Sequence, residues 1–176
     1  WQKGDKANRD KALTIWKKIA NARTAAAYAK LGDVLAEHQM HIDGLAHYAK
    51  AIKLEPKNPE LYKGRAAIYE GQKQWSEAMT DWETAMSLLG DKPTDRTARR
   101  EARRHIVALL TRWGGKETEY RNRWVRDFKK NPPDLEAGLF LVEYYDRRPQ
   151  AGEPKETLER LRTLVPEDQD VIGDLV

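Results

Sequence analysis

Cysteine is absent from all 176 residues, which excludes disulfides, thiolate nucleophiles and cysteine-bound metals together. No apolar run approaches the roughly 20 residues a helix needs to cross a bilayer, so no membrane insertion is expected. Neither a Gly-x-Ser-x-Gly elbow nor a glycine-rich phosphate loop occurs. Gly114-Gly115-Lys116 lacks the upstream glycine and the following Ser or Thr of a Walker loop. His38-Gln-Met-His41 with Asp43 carries imidazole and carboxylate groups suited to zinc or nickel. That pair spans a predicted turn and lacks the His-Glu-x-x-His order, and exposed turn histidines without a metal are far commoner. The expectation is therefore no enzyme, no metal and no cofactor. The chain opens at Trp1 rather than Met, so a native N-terminus cut away is expected, and the lack of a signal peptide chooses no compartment.

What the chain does have is charge and repetition. Charged residues make up 34% and mean hydropathy is −0.85, which predicts a surface-rich helical protein that faces water. Two stretches overlay at a shift of 34 residues. The first runs Tyr28, Leu31, Gly32, Leu35, then Gly44-Leu45, Tyr48, Ala51-Ile52 and Pro56. The second runs Tyr62, Arg65, Ala66, Tyr69, then Ala78-Met79, Trp82, Ala85-Met86 and Gly90.

This pattern resembles the tetratricopeptide repeat (TPR), whose unit is a pair of antiparallel helices, A and B. The resemblance implies an all-α fold, an α-solenoid that winds as a right-handed superhelix. Gly32 against Gly44, and Ala66 against Ala78, are the small residues that let A and B cross closely, while larger apolar residues three and four apart fill the groove. Pro56 and Asn58-Pro59 end one helix B and start the next helix A. One solenoid domain over 1–176 is expected, divided as 1–24 (helix B only), 25–58, 59–92, 93–132, 133–166 and the start of a further helix in 167–176. A chain that starts and stops mid-repeat reads as part of a larger array, with exposed ends open to self-association.

The register slips in the third unit. Its boundary proline, Pro132, comes eight residues later than two regular steps from Pro56. The extra residues fit between Asp91 and Arg104, where Thr94 or Asp95 is the expected cap of a long helix reaching Trp113, closed by Gly114-Gly115. Helices over Glu117–Lys130, Leu135–Tyr145 and Lys155–Leu164 follow.

Two surfaces stand out. From Arg96 to Lys130 there are 12 Lys or Arg and 4 acidic residues, an excess of +8 in a chain of net +4. Arg99, Arg100, Arg103 and Arg104 form two i,i+4 pairs, and Arg121, Arg123 and Arg126 continue the charge beside Trp124 and Phe128. Phosphate contacts with stacking on such a patch suit single-stranded nucleic acid, the second reading; a solvated outer face is the plainer one. The other surface is the concave one. The resemblance implies that helix A supplies it from fixed repeat offsets: Ala26, Ala29, Lys30, Asp33, Ala36 and Glu37, then Glu60, Lys63, Gly64, Ala67, Glu70 and Gly71. The third unit adds His105, Ile106, Leu109, Arg112 and Trp113, and the fourth Leu139, Phe140 and Glu143. Ile106, Leu109, Trp113, Leu139 and Phe140 would form an apolar strip for a peptide or partner helix, or else be core.

TPR domains that grip acidic chaperone tails carry Lys, Asn and Arg at particular offsets. Those positions here hold Ala29, Asp33, Gly64, Ala102 and Ile106, so no carboxylate clamp of that kind is expected. The leading expectation is a non-catalytic protein-protein interaction scaffold for a peptide or protein ligand. An accessory TPR domain of a larger enzyme or envelope machine is a third reading.

Overall fold

A computed structural model describes residue 14 and residues 23–90, 92–151 and 154–164. The expected partial repeat in 1–24, apart from residues 14, 23 and 24, lies outside the described residues, as does the further helix in 167–176. The chain divides into two compact units, Trp1–Leu88 and Leu89–Val176.

The first unit holds two helix pairs: α1 (Ala25–Glu37) with α2 (His41–Leu54), and α3 (Pro59–Gly71) with α4 (Trp75–Leu88). Local chemistry sets the starts. The Thr24 side chain accepts from Ala27 N–H at 3.2 Å, and Asn58 accepts from Glu60 N–H at 3.1 Å just before Pro59, whose fixed φ suits a first turn. The A–B turns repeat each other at the same shift. Gln39 (φ 61°) and Lys73 (φ 59°) are both left-handed, and Met40 N–H→Leu35 O and Gln74 N–H→Tyr69 O close them at 2.8 and 2.9 Å.

Close crossing is real in both pairs. A Cβ on Gly44 would lie 2.9 Å from the Gly32 carbonyl oxygen, so only glycine fits there without movement. In the second pair Ala66 and Ala78 occupy the crossing, both fully buried. The equivalent aromatics of helix B each reach back to a carboxylate on their own helix A. Tyr48 donates its hydroxyl to Asp33, and Trp82 donates Nε1–H to Glu70 at 2.6 Å.

The second unit is built differently. It holds α5 (Pro93–Trp113), α6 (Glu117–Phe128), α7 (Leu135–Arg147), a 3₁₀ turn (Pro149–Ala151) and α8 (Pro154–Leu164). Gly114, left-handed at φ 71°, stops α5 by donating to Leu110 O at 2.9 Å. The N-terminal cap is Lys92, whose side chain makes no capping bond, rather than Thr94 or Asp95. Asp95 instead accepts from Gly90 N–H at 3.1 Å, because Pro93 already begins the helix and places Asp95 inside it.

α5 and α6 touch little; α5 packs mainly on α7, which also contacts α6 and α8. The unbroken run Ala137–Val142, with Tyr144 and Tyr145, is buried, so α7 is apolar on nearly all sides, as befits a central helix. Trp124 of α6 stacks on Phe140 of α7 at 4.7 Å and 7°. At Gly138 a Cβ would meet Phe128 at 2.7 Å and Leu161 at 2.8 Å, which locates the closest approach of α6, α7 and α8.

Candidate functional site

In the first unit α1 and α3 lie side by side and leave an open groove of about 390 Å³. Lys30, Asp33, Ala36 and Glu37 form one wall, spaced to lie on a single face of α1. Gly64, Ala67, Ile68 and Gly71 of α3 form the other, and His41 at the start of α2 lines the groove as well. No side chain extends beyond Cβ from Gly64, Ala67 or Gly71, so this wall offers backbone and one methyl group.

Tyr48 is the structural root of the groove. Its buried ring lies so close to Gly32 and Gly64 that a Cβ at either position would overlap it. Its hydroxyl is held by Asp33 Oδ1. Burial first, then the Asp33 hydrogen bond and charge, pushes the Tyr48 pKa well above the ordinary tyrosine range. The phenol therefore stays protonated and keeps donating, which holds the Asp33 carboxylate in place. Nearby, Lys63 pairs with Glu60 at 3.2 Å. His41 Nδ1 is buried without a hydrogen-bond partner.

A smaller recess of about 270 Å³ lies between α3 and α4, lined by Arg65, Tyr69, Ser76, Glu77, Thr80 and Asp81. Arg65 binds the buried Asp81 through two bonds of 2.7 Å, and its guanidinium lies 5.8 Å from the Tyr62 ring and 5.9 Å from that of Tyr69. The Asp81 hydrogen bond raises the Arg65 pKa, against the opposing effect of burial. The pair is satisfied and neutral, a structural clamp in place of the apolar Leu31 of the preceding unit.

The apolar strip expected in the third and fourth units is not a surface. Ile106, Leu109, Leu139 and Phe140 are all buried, because α7 lies against α5 and converts that face into core. Trp113 is half-buried with Lys116 5.9 Å from its ring, His105 is half-buried and Arg112 is exposed. Glu143 accepts from Arg104 at 3.4 Å and from Arg147 at 3.2 Å.

The basic residues do not make one patch either. Arg103 is 1% exposed and donates to Glu136 at 2.6 Å, and Arg99 joins the same carboxylate at 3.4 Å. Arg123 packs over Tyr120 at 4.2 Å, Arg126 lies 3.5 Å from Asp127, and Arg121 is half-buried. Arg100, half-buried, and Arg104 lie on the other i,i+4 row of α5. Lys130, through its hydrogen bond, and Arg126 together hold the Asp127 carboxyl below its usual range.

Of the concave-face residues read from the sequence in the first two repeats, Lys30, Asp33, Ala36, Glu37, Gly64, Ala67 and Gly71 come together around the groove, whereas Ala26, Ala29, Glu60, Lys63 and Glu70 are not among its lining residues. Tyr48, His41 and Ile68 were missed. Tyr48 had a signal, since it occupies the same repeat position as Trp82. Among the described residues no group of three or more His, Asp or Glu is placed to hold a metal, and no helix is long and apolar enough to cross a membrane.

Solved structures share this fold. MamA overlays with a TM-score of 0.53 at 14% identity, covering 99% of this chain and 95% of its own. A second MamA structure overlays with a TM-score of 0.53 at 15% identity, covering 94% and 87%. PilF of Pseudomonas aeruginosa gives 0.53 at 14% identity, covering 97% and 82%. No protein-family model and no curated protein matches the sequence. The fold is all-α and of the TPR helical-repeat type.

Proposed function

We propose that the chain is a non-catalytic protein-interaction scaffold that takes an extended peptide segment of a partner protein in the α1–α3 groove. The observation that carries this reading is the bare wall. Gly64, Ala67 and Gly71 leave a groove of about 390 Å³ open between two rigid helices, with Lys30, Asp33 and Glu37 along its rim. An apolar floor with a few charged groups at its edge has the anatomy of a recognition site. At ~1.5 Å rise per residue α1 is about 20 Å long, which matches about six residues of extended chain at ~3.3 Å each.

Catalysis is the poorer reading because the groove brings no hydroxyl or thiol nucleophile beside its imidazole and carboxylates. Lys30, Asp33, Glu37 and His41 hold no Ser, Cys or Thr among them.

Gly71→Trp tests the proposal. A Cβ at Gly71 meets nothing within 4 Å, so the indole fills the groove while the helix pair stays intact, as circular dichroism will verify. Peptides selected from a random phage library on the full chain should lose binding to this variant and to Ala67→Trp. Peptides that bind both variants as tightly as the parent would overturn the groove as the recognition site.

A further inference from the structure

Five arginines of the second unit share three carboxylates. Arg99 and Arg103 meet on Glu136 at 3.4 and 2.6 Å. Arg104 and Arg147 meet on Glu143 at 3.4 and 3.2 Å, and Arg148 binds Glu117 at 3.1 Å. These ion pairs, which tie α5 and α6 to α7, leave an excess of positive charge. The two signs are also sorted by depth. Glu143, Glu117 and Glu136 have side chains 12%, 19% and 26% exposed, whereas Arg104 is 55% exposed and Arg147 and Arg148 are each 38%. Solvent therefore meets guanidiniums whose counterions lie beneath them.

Each of these three guanidiniums is anchored and still has donors to give. Arg104 reaches Glu143 through Nε, and Arg147 does so through Nε and Nη2. Arg148 spends Nε on Glu117 and Nη2 on the Thr111 carbonyl. Both Nη groups of Arg104, and Nη1 of Arg147 and of Arg148, remain available. Thr111 follows Arg104 by seven residues on the same face of α5, which places Arg148 about 10 Å farther along at ~1.5 Å per residue.

We infer that Arg104, Arg147 and Arg148 form a second interaction surface, one that takes an acidic segment of a partner protein. Two carboxylates about 10 Å apart match its length, the spacing of Asp or Glu three residues apart in an extended chain at ~3.3 Å each. The guanidinium fork suits a carboxylate, and the bond is charge-assisted. Because the buried carboxylates already hold the arginines, little side-chain freedom is lost when a ligand arrives.

Other occupants fare worse on the same strip. Single-stranded nucleic acid needs rings on which to stack its bases, and Trp124, Phe128 and Phe140 are buried. The exposed carboxylates of Glu101, three residues before Arg104, and Asp146, next to Arg147, also break up any longer phosphate track. An apolar segment would cover three cations without satisfying them.

The test uses the full chain carrying Gly71→Trp, so that the α1–α3 groove is filled. A random phage library selected on it should return peptides with two Asp or Glu residues three apart. In fluorescence anisotropy, Arg104→Gln and Arg147→Gln should each weaken these peptides about fivefold, as should Asn or Gln in place of either acidic residue. Each variant leaves the other arginine on Glu143, so the fold is kept, as circular dichroism will verify. Arg162→Gln, which removes an exposed cation of α8, should change nothing. Selected peptides without the acidic pair, or an equal loss from Arg162→Gln, would overturn the inference. So would an oligouridylate that binds the chain and loses more affinity than the peptides do in Arg104→Gln and Arg147→Gln, since the strip would then be a nucleic-acid site.

Discussion

Gly64 and Gly71 sit seven residues apart on α3, both line the groove, and they answer to opposite constraints. At Gly64 an added Cβ collides with the Tyr48 ring, while at Gly71 it meets open space. Gly64→Ala should therefore destabilise by about 1–3 kcal/mol through overpacking. Gly71→Ala should stabilise by up to about 1 kcal/mol, the helix-propensity difference. Urea unfolding of the two variants checks this, and a shift of the same sign in both would refute it. Tyr48 makes a second prediction, on pH. Its folded pKa lies above its unfolded value near ~10, so the stability it contributes is complete below that value and is lost as pH rises through the folded pKa. Thermal melts should thus fall as pH climbs past about 10, and Tyr48→Phe should flatten the fall. Tyr144, raised by burial and then by Glu117, supplies a remaining slope. Identical alkaline slopes in parent and variant would show that Tyr48 ionises as freely folded as unfolded.

Among the elements, α5 and α7 are joined by an ion pair that is buried on one side only. Arg103 is 1% exposed and Glu136 26%, so removing the carboxylate strands a guanidinium in the core. Glu136→Gln should cost about 3 kcal/mol, toward the low end for a broken buried pair because Glu136 keeps some water. Adding Arg103→Met should recover most of that loss, a coupling that a double-mutant cycle measures directly. Additive effects in the cycle would mean that the pair is not coupled. The same helices show what the sequence made legible. The end of α5 was readable because Gly114 is a chemical stop, and α1 to α4 were readable because Gly32, Gly44, Ala66 and Ala78 recur where helices cross. The interior of the second unit was not. Arg103 reads as a solvated face until Glu136, 33 residues away, is placed beside it. Ile106 and Leu109 carry helical periodicity whether they face solvent or α7, and the run Ala137–Val142 has no periodicity to say which side is covered. Of the groove, the α1 wall and Gly64, Ala67 and Gly71 of α3 sit at the repeat offsets that the TPR resemblance supplies, whereas Ile68 and His41 lie off those offsets and depend on how the helices pack.

For the whole molecule, two compact units mean two cores. The first is built on Leu31, Leu35, Met40, Ala51 and Leu61, the second on residues such as Ile106, Trp124, Phe140 and Leu161. Residues 1–88 and 89–176, expressed separately, should each fold to a helical protein, with far-UV circular dichroism spectra that add to that of the intact chain. Loss of helix in either piece would show that its core needs the other.

The central place of α7 carries a consequence for how the two units open. In the first unit the principal contacts run within neighbouring pairs, so α3 and α4 can come apart while α1 and α2 persist, and opening is graded. In the second unit α5, α6 and α8 all rest on α7, so none can release it without losing its own support. Amide hydrogen exchange should report this as a ladder of protection across α1 to α4, and as one shared opening free energy across α5 to α8.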